Sequence, residues 1–271
     1  RAFFLDNADY FSSDYDLVYT RNIADPDYGA KLTGSQQAHS YGFFITNDTE
    51  TNFIVPGNTE SQLATLDQES HSAAFKYRYD FTDDLSLGAI STLRAADNYH
   101  NYVAGFDSKY RINDSNTVSG QILTSNTEYP TELYQNFCYG ETDGACDKPQ
   151  DVECEFGDCQ YTEQVHRTKF DDEITDQAIK LAFEHNSEYW NLTAEHQSIG
   201  ENFRADLGYM PRADYQSEKF LLDRFFYGEE DTFWQEAKVS GQWQIKHNEN
   251  GELLEKTLAS SFTIDGPMQS N

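Results

Sequence analysis

The feature that most constrains the fold is a two-residue alternation of apolar and polar side chains along most of the chain. In the segment 70–81, Phe75 and Tyr77 lie on one face, and Lys76, Arg78 and Asp80 lie on the other. Successive side chains of a β-strand point to opposite faces, so this period predicts a strand. Roughly ten or eleven segments repeat the pattern, and none has a convincing helical period. We therefore predict an all-β protein.

The connections between these segments alternate in length. Short turns are expected at 81–84, 111–116 and 185–188. Long links are expected at 48–70, 127–173 and 198–213, and the link at 95–100 is an intermediate case. Short turns at one end, long loops at the other and charges of both signs opposite the apolar face are typical of outer-membrane barrels. Tyr, Phe and Trp at strand ends would form the aromatic girdles of such a barrel.

The predicted fold class is an antiparallel, up-and-down β-barrel of the outer-membrane type, present here as an incomplete fragment. The chain opens with RAFFLDNADYF, which has no Met, basic region or apolar run typical of a signal peptide. We therefore expect it to be a piece of a longer protein. A soluble β-sandwich or jelly roll also alternates in this way, with its apolar face inward, and stays open as the alternative.

The charge of the chain restricts its partners. Its formal net charge is −28, from 47 acidic and 19 basic residues. Such a charge argues against nucleic acid and against anionic lipid headgroups as direct partners, and it suits cations. No run of apolar residues is long enough to predict a transmembrane helix.

All four cysteines lie in the longest link, 127–173, which is acidic and has no hydrophobic core of its own. They are Cys138, Cys146, Cys154 and Cys159. An even, clustered set predicts two disulfides formed in an oxidising compartment, with the pairing left open. Free thiols and a zinc site are the alternatives, although the spacing lacks the C-x-x-C pairs that zinc sites usually have.

The sequence offers no convincing catalytic constellation. Its seven histidines have no H-E-x-x-H or H-x-H spacing, and no P-loop or dinucleotide-binding fingerprint occurs. Acidic strings at 170–176 and 228–232 suit weak Ca²⁺ binding, or they are simply solvated charge. We predict no catalytic residue, no resident metal and no cofactor. A hydrolase carried by the barrel is the least favoured reading.

The polar sides of the predicted strands would face the lumen of the barrel. Mixed charge in this position favours cross-strand ion pairs and a filled or narrow lumen over selective conduction. The predicted lumen-facing residues are Lys76, Arg78, Asp80, Arg94, Asp107, Lys109, Lys180, Glu184, Glu236, Lys238 and Glu255.

Three motifs in this order resemble a bacterial family known as domain of unknown function 5916. They are the opening RAFFLDNADYF, the run DLVYTRNIADPDYGAKLTG at 16–34, and NFRADLGYMPRADY at 202–215. Ala2, Asp6 and Asn7 depart from the family pattern, and the cysteine loop is not part of it. The matching residues that we single out are Arg1, Phe3, Phe4, Arg21, Asp25, Pro26, Gly29, Lys31, Gly34, Phe203, Gly208 and Arg212.

The resemblance implies an outer-membrane barrel that follows an N-terminal module similar to family 9 carbohydrate-binding modules. It supplies no catalytic residues. From it we predict a non-enzymatic surface protein of the bacterial outer membrane, with the lipid bilayer as partner and a role in glycan binding or uptake through the missing module. Residues 1–27 would form an entry segment and 28–271 the barrel. The alternative function is a soluble secreted β-sandwich that binds carbohydrate or Ca²⁺.

Overall fold

A computed structural model of the chain describes residues 8–23, 25–134, 168, 173–229 and 232–266. Eleven strands form one antiparallel sheet, and two further strands form a separate hairpin. The sheet contains β1 (Pro26–Gln36), β2 (His39–Asp48), β5 (Ser70–Asp80), β6 (Leu85–Ala96), β7 (Tyr99–Asn113), β8 (Asn116–Glu128), β9 (Ile174–Asn186), β10 (Trp190–Ile199), β11 (Tyr215–Tyr227), β12 (Glu236–His247) and β13 (Leu253–Asp265). The hairpin contains β3 (Thr51–Pro56) and β4 (Ser61–Leu66).

Each strand of the large sheet pairs with the strand that follows it in this series. This order is up-and-down, and all pairings are antiparallel, so the predicted all-β, up-and-down fold class is confirmed. Within the described residues, β1 and β13 are the two edges of the sheet and do not pair with each other. The sheet is therefore open.

The lengths of the connections follow the prediction only in part. All connections at one end of the sheet are short, and three long links lie at the other end, which we call the long-link end. Two tight hairpins, β6–β7 and β12–β13, also lie at that end. The second contains Gly251, whose φ of 81° is easily reached only without a side chain. Sheet geometry requires no particular length at a hairpin, so the alternation need not be strict.

The two faces of the sheet differ in what covers them. One face packs against residues 8–23 and 200–214, and we call it the inner face. Buried side chains on it include Phe44, Ala74, Ile90, Val103 and Leu123, spread over five successive strands. The opposite, outer face carries large apolar side chains in contact with solvent; Phe106 is 70% exposed and Leu258 is 83% exposed.

The 48–70 link contains the β3–β4 hairpin, which the sequence analysis treated as a loop. The signal was present but short, because Phe53 and Val55 alternate with less buried neighbours over only six residues. The hairpin packs against Tyr99, Tyr129 and Leu133 and covers the long-link end of the inner face.

Helical structure is minor. Two 3-10 helices span Ala8–Phe11 and Thr20–Asn22, and residues 131–134 form a helical turn. No helix in the described part of the chain has the length and hydrophobicity needed to cross a lipid bilayer.

Several predicted features lie outside the described residues. These are Arg1, Phe3 and Phe4 of the first motif and the four cysteines of the 127–173 link. The two disulfides therefore remain a prediction, and so does the division into an entry segment and a barrel.

Candidate functional site

Two segments fill the long-link end of the inner face and together form what we call the plug. The first is residues 8–23, and the second is residues 200–214. Backbone hydrogen bonds join them: the Tyr19 amide donates to the Leu207 carbonyl at 2.9 Å, and the Tyr209 amide donates to the Asp16 carbonyl at 2.7 Å. The two segments thus behave as one packed unit.

Gly208 allows the two plug segments to approach this closely. A Cβ atom at this position would lie 2.3 Å from the carbonyl oxygen of Asp16 and 2.8 Å from Cα of Leu17. Both are backbone atoms that cannot rotate away, so any side chain at 208 would push the segments apart. Asn22 adds to the junction, because its Nδ2 donates to the carbonyls of Asp206, at 3.1 Å, and Gly208, at 2.6 Å.

The plug is also bonded to the sheet. The hydroxyl of Tyr15 donates to the carbonyl of Ile179 on β9 at 2.8 Å, and its amide donates to Oε1 of Gln121 on β8 at 3.3 Å. The Arg204 amide donates to the hydroxyl of Ser125 at 3.1 Å. Phe203 is completely buried between the sheet and the first segment. Packing and hydrogen bonds together hold the plug in place.

Arg94, on the inner face of β6, connects four separate parts of the chain. Its Nη1 donates to the carbonyls of Asn52, at 2.6 Å, and Asp206, at 3.4 Å. Its Nη2 donates to the carbonyl of Asn22 at 3.1 Å and lies 3.8 Å from Oδ2 of Asp48. The side chains of Arg94 and Asp48 are fully buried, so this contact is a dry ion pair rather than a surface one.

Arg94 and Asp206, with the side chains that bond to them, form what we call the buried polar layer. Asp206 lies at its centre. Its carboxylate accepts hydrogen bonds from the hydroxyls of Tyr99, at 2.8 Å, and Tyr129, at 3.2 Å, and its amide donates to Oδ1 of Asn101 at 2.9 Å. Burial raises the pKa of Asp206, whereas the hydrogen bond from Tyr99 and the charge of Arg204 oppose the rise. Burial, with a smaller contribution from Asp206, likewise raises the pKa of Tyr129. The layer is a buried structural network in which the Asp206 carboxylate and the two tyrosine hydroxyls are hydrogen-bonded to one another.

Beneath the plug, towards the short-turn end, the inner face borders a half-open cavity of about 580 Å³. Its lining comes from seven strands of the sheet and from the plug, which shows that the inner face is concave. The charged groups that line it are Asp9, Asp14, Lys76, Arg78, Asp107, Lys109 and Glu184, and serine hydroxyls lie between them. Groups of this kind can form hydrogen bonds with a polar solute.

Lys76 and Asp107 form the best-buried ion pair of the cavity, with 2.5 Å between Nζ and Oδ2. Asp107 lies on β7 and Lys76 on β5, so the aspartate side chain must cross β6. It crosses at Gly88, where an added Cβ would lie 2.4 Å from the carboxylate oxygens. A glycine at this position therefore makes the cross-strand pair possible.

The other predicted lumen-facing residues also lie on the inner face. Lys180 pairs with Glu195 at 3.2 Å, and Lys238 pairs with Asp223 at 3.2 Å. Arg78 pairs with Asp80 at 2.9 Å, and both are more exposed. Glu184 and Glu236 lie on the same face, opposite Thr117 and Asp265 respectively.

The residues that match the family pattern and lie in the described part of the chain are found in different parts of the fold. Pro26, Gly29, Lys31 and Gly34 belong to β1, and Arg21 stacks on the ring of Tyr19 at 5.9 Å. The Asp25 amide donates to Oδ1 of Asp48 at 2.6 Å. Arg212, near the end of the plug, lies 3.8 Å from Glu255.

The buried polar layer formed by Arg94, Asp206 and their partners was not predicted from the sequence. Tyr99, Asn101, Tyr129 and Asp206 were not singled out, and Arg94 was recognised only as a lumenal charge. In these hydrogen bonds the two partners are 77 to 112 residues apart in the chain, so no local sequence pattern predicts them. The position of Asp206 inside the third motif is the one signal available in the sequence.

No family model matches the chain, and no curated protein matches it. Among solved structures, one match is BamA from Haemophilus ducreyi lacking POTRA domains 1–3. The identity is 11%, the match covers 86% of this chain and 43% of that chain, and the TM-score is 0.35. The chain spans less than half the length of that structure.

Proposed function

We propose that the chain is the plugged β-barrel region of a bacterial outer-membrane protein, that it has no enzymatic activity, and that it takes part in glycan binding or uptake. The proposal includes membership of the domain of unknown function 5916 family. The observation that carries the membrane part is the inside-out distribution of side chains. Charged residues lie on the inner face, and large apolar residues lie exposed on the outer face.

The exposed apolar residues extend across the whole sheet. They include Leu32, Phe43, Phe75, Leu87, Phe106, Ile122, Leu181, Phe220, Val239, Trp243, Leu258 and Phe262. An exposed apolar surface of this extent is rare in soluble monomers and is what contact with lipid chains requires. A soluble sandwich would cover such side chains with a second sheet, but the only other sheet in the described residues is the β3–β4 hairpin on the inner side.

The plug and cavity favour binding over free conduction. The plug occupies the long-link end, and the cavity below it offers hydroxyls, carboxylates and ammonium groups from several strands. Such groups are suited to hydrogen bonding with the hydroxyls of a sugar. The glycan part of the proposal otherwise rests on the family resemblance.

The test of the membrane part is fractionation of Gram-negative cells that express the chain behind a cleavable export signal. We expect the protein in the outer-membrane fraction, resistant to alkaline wash and released by detergent. Phe106→Lys on the outer face should reduce this recovery, because a midplane lysine costs about 2–4 kcal/mol in a barrel. Ser119→Lys, on the inner face, is the matched control and should have little effect. Folded protein recovered without detergent would contradict the proposal.

The glycan part has its own test, which is calorimetric titration of the detergent-solubilised protein with neutral and acidic oligosaccharides. Binding that is weakened by Lys109→Ala, in the cavity, and unchanged by Arg111→Ala, at the short-turn end, is the expected result. Absence of binding to every oligosaccharide class would remove this part and leave the membrane part standing.

A further inference from the structure

A second group of polar side chains lies on the outer face, at the long-link end, away from the plug and the cavity. His100 on β7, Glu128 at the end of β8 and Glu173 just before β9 come from three neighbouring strands. One ligand atom of each lies within 4.8 Å of the others. We propose that these three side chains form a binding site for a divalent transition-metal ion, with Zn²⁺ as the best match.

Asn126 determines which nitrogen of His100 carries a proton. Its Oδ1 lies 2.8 Å from Nε2 of His100, while its Nδ2 donates to Oε2 of Glu173 at 3.0 Å and to Oγ1 of Thr175 at 3.1 Å. An amide oxygen only accepts hydrogen bonds, so Nε2 must be the protonated nitrogen. The Nδ1 atom of the neutral imidazole then carries a lone pair.

That lone pair faces a carboxylate. Nδ1 of His100 lies 3.5 Å from Oε2 of Glu128, and both atoms are acceptors when the ring is neutral. A neutral ring and a carboxylate at this distance repel each other unless a proton or a metal ion lies between the two atoms. A metal ion that accepts both lone pairs would bring the two side chains together at one site.

The ligand set has the chemistry of a zinc site. Zn²⁺ binds imidazole nitrogen and carboxylate oxygen at about 2.0–2.2 Å, so its ligands lie about 3.3 Å apart. Glu128 is already close to this separation, with Oε2 3.5 Å from Nδ1 of His100, and Glu173 is exposed, so its side chain can move inward. Asn126 would act as a positioning residue, because it holds both His100 and Glu173 in the manner typical of outer-shell partners in metal sites.

The chain supplies a matched control. His196 and Glu218 also lie on the outer face, with Nδ1 2.7 Å from Oε1, but this pair has one carboxylate instead of two. A histidine–carboxylate pair of this kind is expected to bind metal much more weakly, because only two ligands converge.

The experiment is titration of the folded, detergent-solubilised full chain with Zn²⁺ in competition with a chromogenic chelator. All four cysteines are replaced by serine in every variant, so that thiols do not contribute. We expect one saturable site. His100→Asn and Glu128→Gln should each weaken it at least tenfold, Asn126→Ala should weaken it by about 10- to 100-fold, and His196→Asn should leave it unchanged.

The result that overturns the proposal is the absence of saturable binding, or an affinity that is the same with and without His100. Circular dichroism of each variant separates loss of ligand from loss of fold. The site does not depend on the proposed glycan role, and the titration needs no oligosaccharide.

Discussion

On the inner face of the sheet, Nη1 of Arg94 lies 3.4 Å from the carbonyl oxygen of Asp206. The two residues are 112 positions apart in the chain. The same guanidinium reaches Asn22 and Asn52. One side chain therefore links the sheet, the β3–β4 hairpin and both plug segments. Loss of this side chain should therefore weaken the packing of all four of these parts.

The first prediction concerns this connection. Arg94→Met should lower the free energy of unfolding by about 3–5 kcal/mol, because the change removes a buried cation that faces the Asp48 carboxylate and donates to three backbone carbonyls. The measurement is urea unfolding of the protein in detergent micelles. Arg78→Met is the control, since its ion pair with Asp80 is exposed and should cost no more than about 1 kcal/mol. Equal losses for the two variants would contradict the role of Arg94.

The second prediction concerns pH and Asp206. Burial raises the pKa of Asp206, so the folded protein takes up this proton at a higher pH than the unfolded chain does. The resulting stabilisation is complete below the unfolded pKa and is lost as pH rises through the folded pKa. Wild type should therefore gain stability relative to Asp206→Asn as pH falls from neutral towards the ordinary carboxyl range.

This difference is measured by unfolding both proteins at several pH values. Comparing the two proteins cancels the effect of the many other carboxyl groups. A stability difference that does not change with pH would show that Asp206 titrates alike in the folded and unfolded states.

The third prediction concerns the junction of the plug. Gly208→Val places atoms against the backbone of Asp16 and Leu17, so the two plug segments should separate. We expect a higher permeability to small solutes, measured by swelling of proteoliposomes that contain the reconstituted protein. Gly241→Val is the control, because its nearest atom is 4.0 Å from the added Cβ. Unchanged permeability of the folded Gly208→Val protein would show that the junction does not close the lumen.

The fourth prediction concerns the outer face. Trp243 lies on it in the middle of β12 and is 39% exposed. In a variant that keeps only this tryptophan, with Trp190→Phe and Trp234→Phe, brominated lipid chains should quench the fluorescence strongly. A second variant that keeps only Trp234, which lies in the β11–β12 connection, should be quenched less. Equal, weak quenching of both would place the outer face in water.

The strands and their two faces follow directly from local sequence. The alternation of Phe75 and Tyr77 with Lys76 and Arg78 depends only on the two-residue repeat of an extended backbone, and the structure places these residues on opposite faces as expected. The charged and apolar surfaces could therefore be assigned before any tertiary contact was known. The short β3–β4 hairpin was missed because six residues per strand give the same pattern too little length.

Only the tertiary structure showed which segments pack against the inner face of the sheet. The motif at 202–215 could be found in the sequence, but its insertion beneath Arg94 and its junction with Asp16 and Leu17 depend on packing between distant segments. The cluster of His100, Glu128 and Glu173 likewise results from strand register, which brings side chains together across the sheet. Alternation fixes the face on which a residue lies, whereas its neighbours are set by pairing and loop folding, and these involve residues far apart in the chain.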